Sequence, residues 1–276
     1  MKLKKLMTAV VTACAALTGA SAVAAPSLTN SDGTFTPFGG FDWASNGTAV
    51  TTGFTPIPGP SIFEMDYWAS AATVTKPNGT TLLGPTFGIL LGTYEYTVKA
   101  HLYESALCGA TSCDFGINTF AGISTWAIYY DTTVNADQVT GAGITDGTLI
   151  LSGHFNTTPF GIGGGHFDSV SGTGSNVLEG VVDYTNPLYV NPALAGTKAG
   201  TELKLASNAT NWVDPTGMPG AGGSSVALPV GFPFPTVVLQ ADANQSFTTA
   251  VPEPAGLALL GIGLLGLAGF SRRRTH

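Results

Sequence analysis

Several groups of side chains have the types that metal, acid–base or hydrolytic chemistry uses. His154 and His166 flank a glycine-rich stretch with Asp168 close behind, a set that could ligate a metal or pass a proton. Their spacing matches no zinc-hydrolase motif, and a strand histidine beside a solvated loop histidine explains them as well. Asp131, Asn135, Asp137 and Asp146 could offer oxygens to Ca²⁺, but their spacing departs from the EF-hand; solvated turn residues are the plainer reading. Glu64, Asp66, Glu95 and Glu104 could supply a pair for glycoside hydrolysis, which needs two carboxyls roughly 5–10 Å apart in a cleft. Acidic residues on wet strand faces account for them more simply. No Gly-x-Ser-x-Gly elbow occurs, and Gly163-Gly164-Gly165 lacks the Lys-Ser/Thr ending of a phosphate loop. Trp43, Tyr67, Trp68, Trp126, Tyr129, Tyr130 and Trp212 could stack on sugar, although aromatics in a β protein are usually core. The reading is a non-enzyme with no cofactor, Ca²⁺ being the alternative.

These side chains must be positioned by strands. Tyr94, Tyr96, Val98, Ala100 and Leu102 alternate with Thr93, Glu95, Thr97, Lys99 and His101, a period of two with one dry face and one wet. Further strands are expected over Ser61–Trp68, Phe87–Leu91, Thr125–Asp131, Thr148–Phe155, Val177–Tyr184, Thr201–Ser207 and Pro235–Ala241. Tyr129 and Tyr130 then point to opposite faces. Asp32-Gly33, Asn46-Gly47, Asn78-Gly79 and Asp146-Gly147 mark tight turns. The pattern predicts an all-β fold, a single antiparallel sandwich or jelly-roll-like domain. Phe160–Gly174 reads as a flexible loop and Pro215–Pro235 as a long excursion. Cys108 and Cys113 enclose a loop of small residues and are expected to form a local disulfide in an oxidising compartment.

Both ends differ from this body. Lys2, Lys4 and Lys5, the apolar run Leu6–Leu17 and the small residues Ala22-Val23-Ala24 read as a signal peptide. The cut is placed after Ala24, because cutting after Ala25 would put Pro26 at the new N-terminus. At the other end stand Pro252-Glu253-Pro254, the uncharged segment Ala255–Phe270 and Arg272-Arg273-Arg274. The prolines fix φ and hold Glu253 in an extended, accessible backbone. Sixteen helical residues would span roughly 24 Å against a hydrocarbon core of roughly 30 Å, which suits a temporary anchor. The arginines would stay cytoplasmic. The expected organisation is a signal peptide at 1–24, a secreted β domain at 25–244, a linker at 245–251 and a sorting signal at 252–276, with helices in the signal peptide and the hydrophobic tail.

Pro252-Glu253-Pro254, the apolar run and the basic end together resemble the PEP-CTERM sorting signal of Gram-negative bacteria. The resemblance implies Sec export, a precursor tethered in the inner membrane, and cutting near the motif by an exosortase. The mature form is then expected at the cell surface or outside the cell. It also implies an association with extracellular polysaccharide, biofilm and floc formation. The body is loosely similar, in layout and composition, to the flocculation-associated PEP-CTERM proteins. Partners so implied are signal peptidase and the Sec machinery, an exosortase, a transient membrane contact and exopolysaccharide.

Charge separates the body from its ends. The formal net charge is −7 overall. Lys76, Lys99, Lys198 and Lys204 are the only cations between the two end segments, against sixteen Asp and Glu, which gives the mature body a charge near −12. Nucleic-acid binding needs a basic footprint, and this body has none.

Overall fold

A computed structural model describes residues 24–43, 47–54, 58–83, 92–118, 122–157, 164–168, 170–206 and 236–248. The stretch Ala25–Thr249 forms one compact unit. The alternating runs become β1 (Ser27–Asn30), β2 (Gly33–Phe35), β3 (Gly40–Trp43), β4 (Gly47–Thr52) and β5 (Gly59–Thr75). They continue as β6 (Thr81–Leu83), β7 (Glu95–Cys108), β8 (Ser112–Ile117), β9 (Thr125–Asp131) and β10 (Thr148–Phe155). The last are β11 (Gly165–Asp168), β12 (Thr173–Thr185), β13 (Val190–Asn191), β14 (Lys198–Ala206) and β15 (Thr236–Thr248).

The predicted sandwich is instead a closed barrel of eight antiparallel strands. The reason lies in β5. One edge pairs with β7 from Gly59↔Cys108 to Ser70↔Thr97. The other edge pairs with β4 and then with β3, and both of these pair with β15. From there β14 and β12 continue the wall. Between β12 and β7 the wall is built in two storeys, β11 and β8 at one end, β10 and β9 at the other. Alternation along a strand is the same in a sandwich and in a barrel; only pairing on both edges of β5 decides between them, and it leaves no long edge to aggregate.

One end of the barrel is closed by the N-terminal hairpin. β1 pairs with β2 and β13, and Leu28 is fully buried. Asn30 Nδ2 donates to the hydroxyls of Tyr94 (3.1 Å) and Tyr96 (3.0 Å), and Tyr94 donates to Asp32 Oδ2 at 2.8 Å. Tyr130 donates to Ser31 Oγ at 3.0 Å, and the three tyrosine rings lie 5.2–5.8 Å apart. At the opposite end Cys108 and Cys113 are directly paired across β7 and β8 and joined by the expected disulfide. Gly109 N donates to Ser112 O at 2.7 Å inside that turn. So short a loop contributes about 2 kcal/mol at most, enough to pin a hairpin tip but not a fold.

Two expectations about loops fail. Gly165–Asp168, inside the predicted flexible stretch Phe160–Gly174, is β11 and pairs with both β8 and β12. Its glycines answer a packing demand. A Cβ on Gly165 would meet the Phe115 ring at 2.5 Å, and one on Gly174 would meet His166 O and the Phe167 ring at 2.7 Å. Likewise Gln245–Thr248, assigned to a linker, continue β15 against β14, with Phe247 buried. The β domain thus extends past 244 and leaves residues 249–251 before the Pro-Glu-Pro. No helix occurs among the described residues. The signal peptide, the expected strand Phe87–Leu91, the excursion Pro215–Pro235 and the tail lie outside them, apart from Ala24.

Gly174→Ala is expected to destabilise the barrel by about 1–3 kcal/mol through overpacking, whereas outward-facing Ser175→Ala should stay within about 0.5 kcal/mol. Urea unfolding of the two variants checks this; a neutral or stabilising Gly174→Ala would return the segment to a solvated loop.

Candidate functional site

Parity along each strand decides on which side of the wall a side chain acts. The four proposed hydrolytic carboxylates are separated by it. Glu64 and Asp66 face outward, where His101 Nδ1 meets Asp66 Oδ1 at 3.1 Å and Nε2 lies 3.8 Å from Glu64. The Asp66 hydrogen bond holds the His101 imidazole above its usual range, against partial burial. Glu95 also faces outward but is covered by residues 132–147, and its Oε1 accepts from the backbone N–H of Asn135 (2.9 Å) and Ala136 (3.0 Å). Burial raises its carboxyl pKa and these two N–H groups oppose the rise. Glu104 alone points into the barrel.

The covering segment 132–147 accounts for the residues considered as Ca²⁺ ligands. Asp131 Oδ1 accepts from Thr133 N, Asp137 Oδ1 accepts from Val139 N, and Asn135 Nδ2 donates to Asp146 Oδ2 at 2.9 Å. These are local turn bonds. They let the segment lie over β4, β5 and β7, where Trp68 Nε1 donates to Gln138 O at 2.9 Å and Thr97 Oγ1 to Ile144 O at 2.6 Å. Among the described residues no group of three His, Cys, Asp or Glu could hold a metal. His154 and His166 do not converge either. Each sits on the outer wall with its own aspartate, His154 Nδ1 at 2.8 Å from Asp183 and His166 Nδ1 at 2.7 Å from Asp114. Asp168 Oδ1 accepts from Val170 N in a turn.

The aromatic residues divide in the same way. Trp43, Tyr67, Trp126 and Tyr130 are buried in the core, and Trp68 is buried beneath the covering segment. Tyr129 is the outward partner of the Tyr129-Tyr130 pair and is half-buried. Trp212 lies outside the described residues.

The barrel interior carries a feature that sequence reasoning missed. Glu104 on β7 is completely buried and accepts from Asn176 Nδ2 on β12 at 3.0 Å. Glu104 Oε2 and Asn176 Oδ1 have no further partner among the described residues. Desolvation raises the Glu104 pKa to about 8, so the neutral acid is the resident form near pH 7. In that form one carboxyl oxygen carries a proton and the carboxyl bears no buried charge. The adjoining cavity is about 50 Å³, lined by Phe63, Met65, Phe115, Phe167 and Leu205. A second, of about 20 Å³, is lined by Tyr67, Trp126, Thr201 and Gln245, each with a polar atom unpartnered among the described residues. Spaces of this size admit single waters, well short of the several hundred Å³ of a ligand site. The interior is therefore a packed core. The only sequence signal for its buried acid was the parity of Glu104, which continues the row Val98, Ala100, Leu102.

The described residues thus define an acidic, closed β-barrel whose titratable groups lie on both the outer wall and the core side. Residues 250–274 match the PEP-CTERM protein-sorting motif, so the chain carries the signal of an exosortase substrate, made as an exported, membrane-anchored precursor. No curated protein and no solved structure matches the chain. The motif residues Pro252, Glu253, Pro254, the segment Ala255–Phe270 and Arg272–Arg274 lie outside the described residues, as does the signal peptide up to Val23. Among the described residues no helix is long and apolar enough to cross a membrane.

Glu104 links stability to pH. Its folded pKa of about 8 lies above the ordinary 4.5, so between these values the folded state keeps a proton that the unfolded chain has released. Stability should fall as pH rises through that window, by up to ~1.4 kcal/mol per unit, and level off above it. Glu104→Gln should remove this slope. Urea midpoints measured across the window check it, and equal slopes for the two proteins would show Glu104 ionised in the fold.

Proposed function

We propose that this is a non-catalytic surface or extracellular-matrix protein, released by exosortase processing and held among extracellular polysaccharide in biofilm or floc. The observation that carries the reading is the PEP-CTERM protein-sorting motif at 250–274, which follows β15 with only Thr249 between them in sequence. The Pro-Glu-Pro is then a substrate site for the exosortase. Ala255–Phe270 is a temporary anchor and Arg272–Arg274 a cytoplasmic stop. The body supports a structural role in two ways. The two interior cavities among the described residues admit no more than single waters, and the candidate carboxylates divide between the two sides of the wall, with Glu64 and Asp66 together at His101 outside, Glu95 beneath the covering segment and Glu104 inside. Four lysines against sixteen carboxylates make nucleic acid an unsuitable partner.

A second reading, a carbohydrate-binding module, is favoured by one observation: Tyr129 keeps an exposed face on the outer wall while the buried aromatics in the described body serve the core. A secreted glycoside hydrolase has less support, because Glu104 is inside and Glu95 is capped by backbone N–H groups.

Glu253→Ala is expected to accumulate a membrane-held form whose mass includes the tail, and the wild-type chain a shorter one ending near Pro252–Pro254. Intact-mass spectrometry of membrane and culture fractions measures both. Identical mass and location for the two would overturn the processing step, and unaltered cell aggregation after deletion of the gene would overturn the matrix role.

A further inference from the structure

We propose that the outer wall formed by β7, β9, β10 and β12 carries a binding subsite for a neutral pyranose unit of a polysaccharide, centred on Ala127. The proposal rests on the polysaccharide reading above and names where on the barrel that contact is made.

The site follows from strand register. Ala127 on β9 faces outward between Lys99 of β7 and Ser152 of β10. One step along β9, Tyr129 pairs with Leu149; one step the other way, Thr125 pairs with His101. A methyl group surrounded by longer side chains leaves an open depression of about 440 Å³, with Asp183 of β12 on its far flank. That volume lies within the usual range for small-ligand sites, whereas both interior cavities fall far below it.

The chemistry of the rim fits a sugar. A pyranose presents a flat face of C–H groups and a rim of hydroxyls, each of which both donates and accepts. Tyr129, Ala127 and Leu149 supply an apolar floor and an aromatic wall for the C–H face. Lys99 offers donors, the Asp183 carboxylate offers acceptors, and the Thr125 and Ser152 hydroxyls do both. Asp183 is fixed by His154 Nδ1, at 2.9 and 2.8 Å from its two oxygens, and retains lone pairs for a ligand hydroxyl. His101 is likewise fixed, by Asp66. Lys99 has no salt-bridge partner among the described residues, so its ammonium is free to donate. The opposite charges of Lys99 and Asp183 flank the depression and cancel, which favours a neutral sugar over a uronate. Side chains anchored on four neighbouring strands form a rigid site that needs no closure.

The test uses the mature, folded protein and a panel of neutral gluco-, galacto- and manno-hexasaccharides with oligogalacturonate as the charged comparison, read by titration calorimetry and saturation-transfer NMR. At least one neutral hexasaccharide is expected to bind, with affinity falling roughly tenfold or more in Tyr129→Ala. Ala127→Leu fills the depression from the solvent side without entering the core, and it should abolish binding while leaving the circular dichroism spectrum unchanged. Ile62→Ala, on an exposed apolar side chain of β5 that pairs with Ser105 outside the depression, should bind as the wild type does. Binding that survives both Tyr129→Ala and Ala127→Leu would overturn this site and leave the matrix reading standing. Binding of oligogalacturonate alone would overturn the neutral-sugar assignment. A wild-type protein that binds none of the panel, yet still restores aggregation to the deletion strain, would overturn the subsite and the polysaccharide contact but not the sorting step.

Discussion

Hydrogen bonding along both edges of β5 is the constraint on which the rest depends. β7 occupies one edge, and β4 and β3 share the other. A sheet closed in this way has an inside and an outside, and every strand residue is committed to one of them by its parity. The row Tyr96, Val98, Ala100, Leu102, Glu104 faces in, and Lys99, His101 and Tyr103 face out. Had β5 kept a free edge, those rows would have become the two faces of an open sheet, with an unpaired edge exposed for aggregation.

Closure also decides where chemistry can occur. The interior is filled by Trp43, Trp126, Tyr67 and Phe247 and by the tyrosine cluster beneath the N-terminal hairpin. Little room remains among the described residues, and several enclosed polar atoms are left without a partner there. Glu104 with Asn176 is the clearest case: a carboxyl that desolvation keeps neutral, held by a carboxamide. On the outer wall three histidines each lie beside their own aspartate.

Particular residues show how far the sequence could be read. Thr125–Asp131 and Thr148–Phe155 form strands with the boundaries expected, because alternation with turn residues on either side is a local signal. Cys108 and Cys113 pair because only the small-residue turn 109–112 separates them. Gly165 and Gly174 were misleading: glycine reads as flexibility in a sequence, yet here each makes room for a phenylalanine from a neighbouring strand. Gln245–Thr248 read in the sequence as the start of the linker that presents the Pro-Glu-Pro, and only pairing with β14 marks them as strand. Glu104 shows its burial only through parity with Val98, Ala100 and Leu102, and an isolated glutamate in an alternating strand otherwise reads as one more solvated charge.

The sequence by itself determined the all-β character, the period-two faces, the acidic body, the local disulfide and the sorting signal at 250–274. Each of these is written in residues close together along the chain, where composition and spacing suffice. Tertiary structure alone decided that the sheet closes, that Glu104 meets Asn176 and that Ala127 sits in a ring of polar and aromatic side chains from four strands. Those outcomes depend on which strand pairs with which and in what register. Pairing joins residues as far apart as Glu104 and Asn176, and no local pattern of hydrophobic and polar residues encodes that choice.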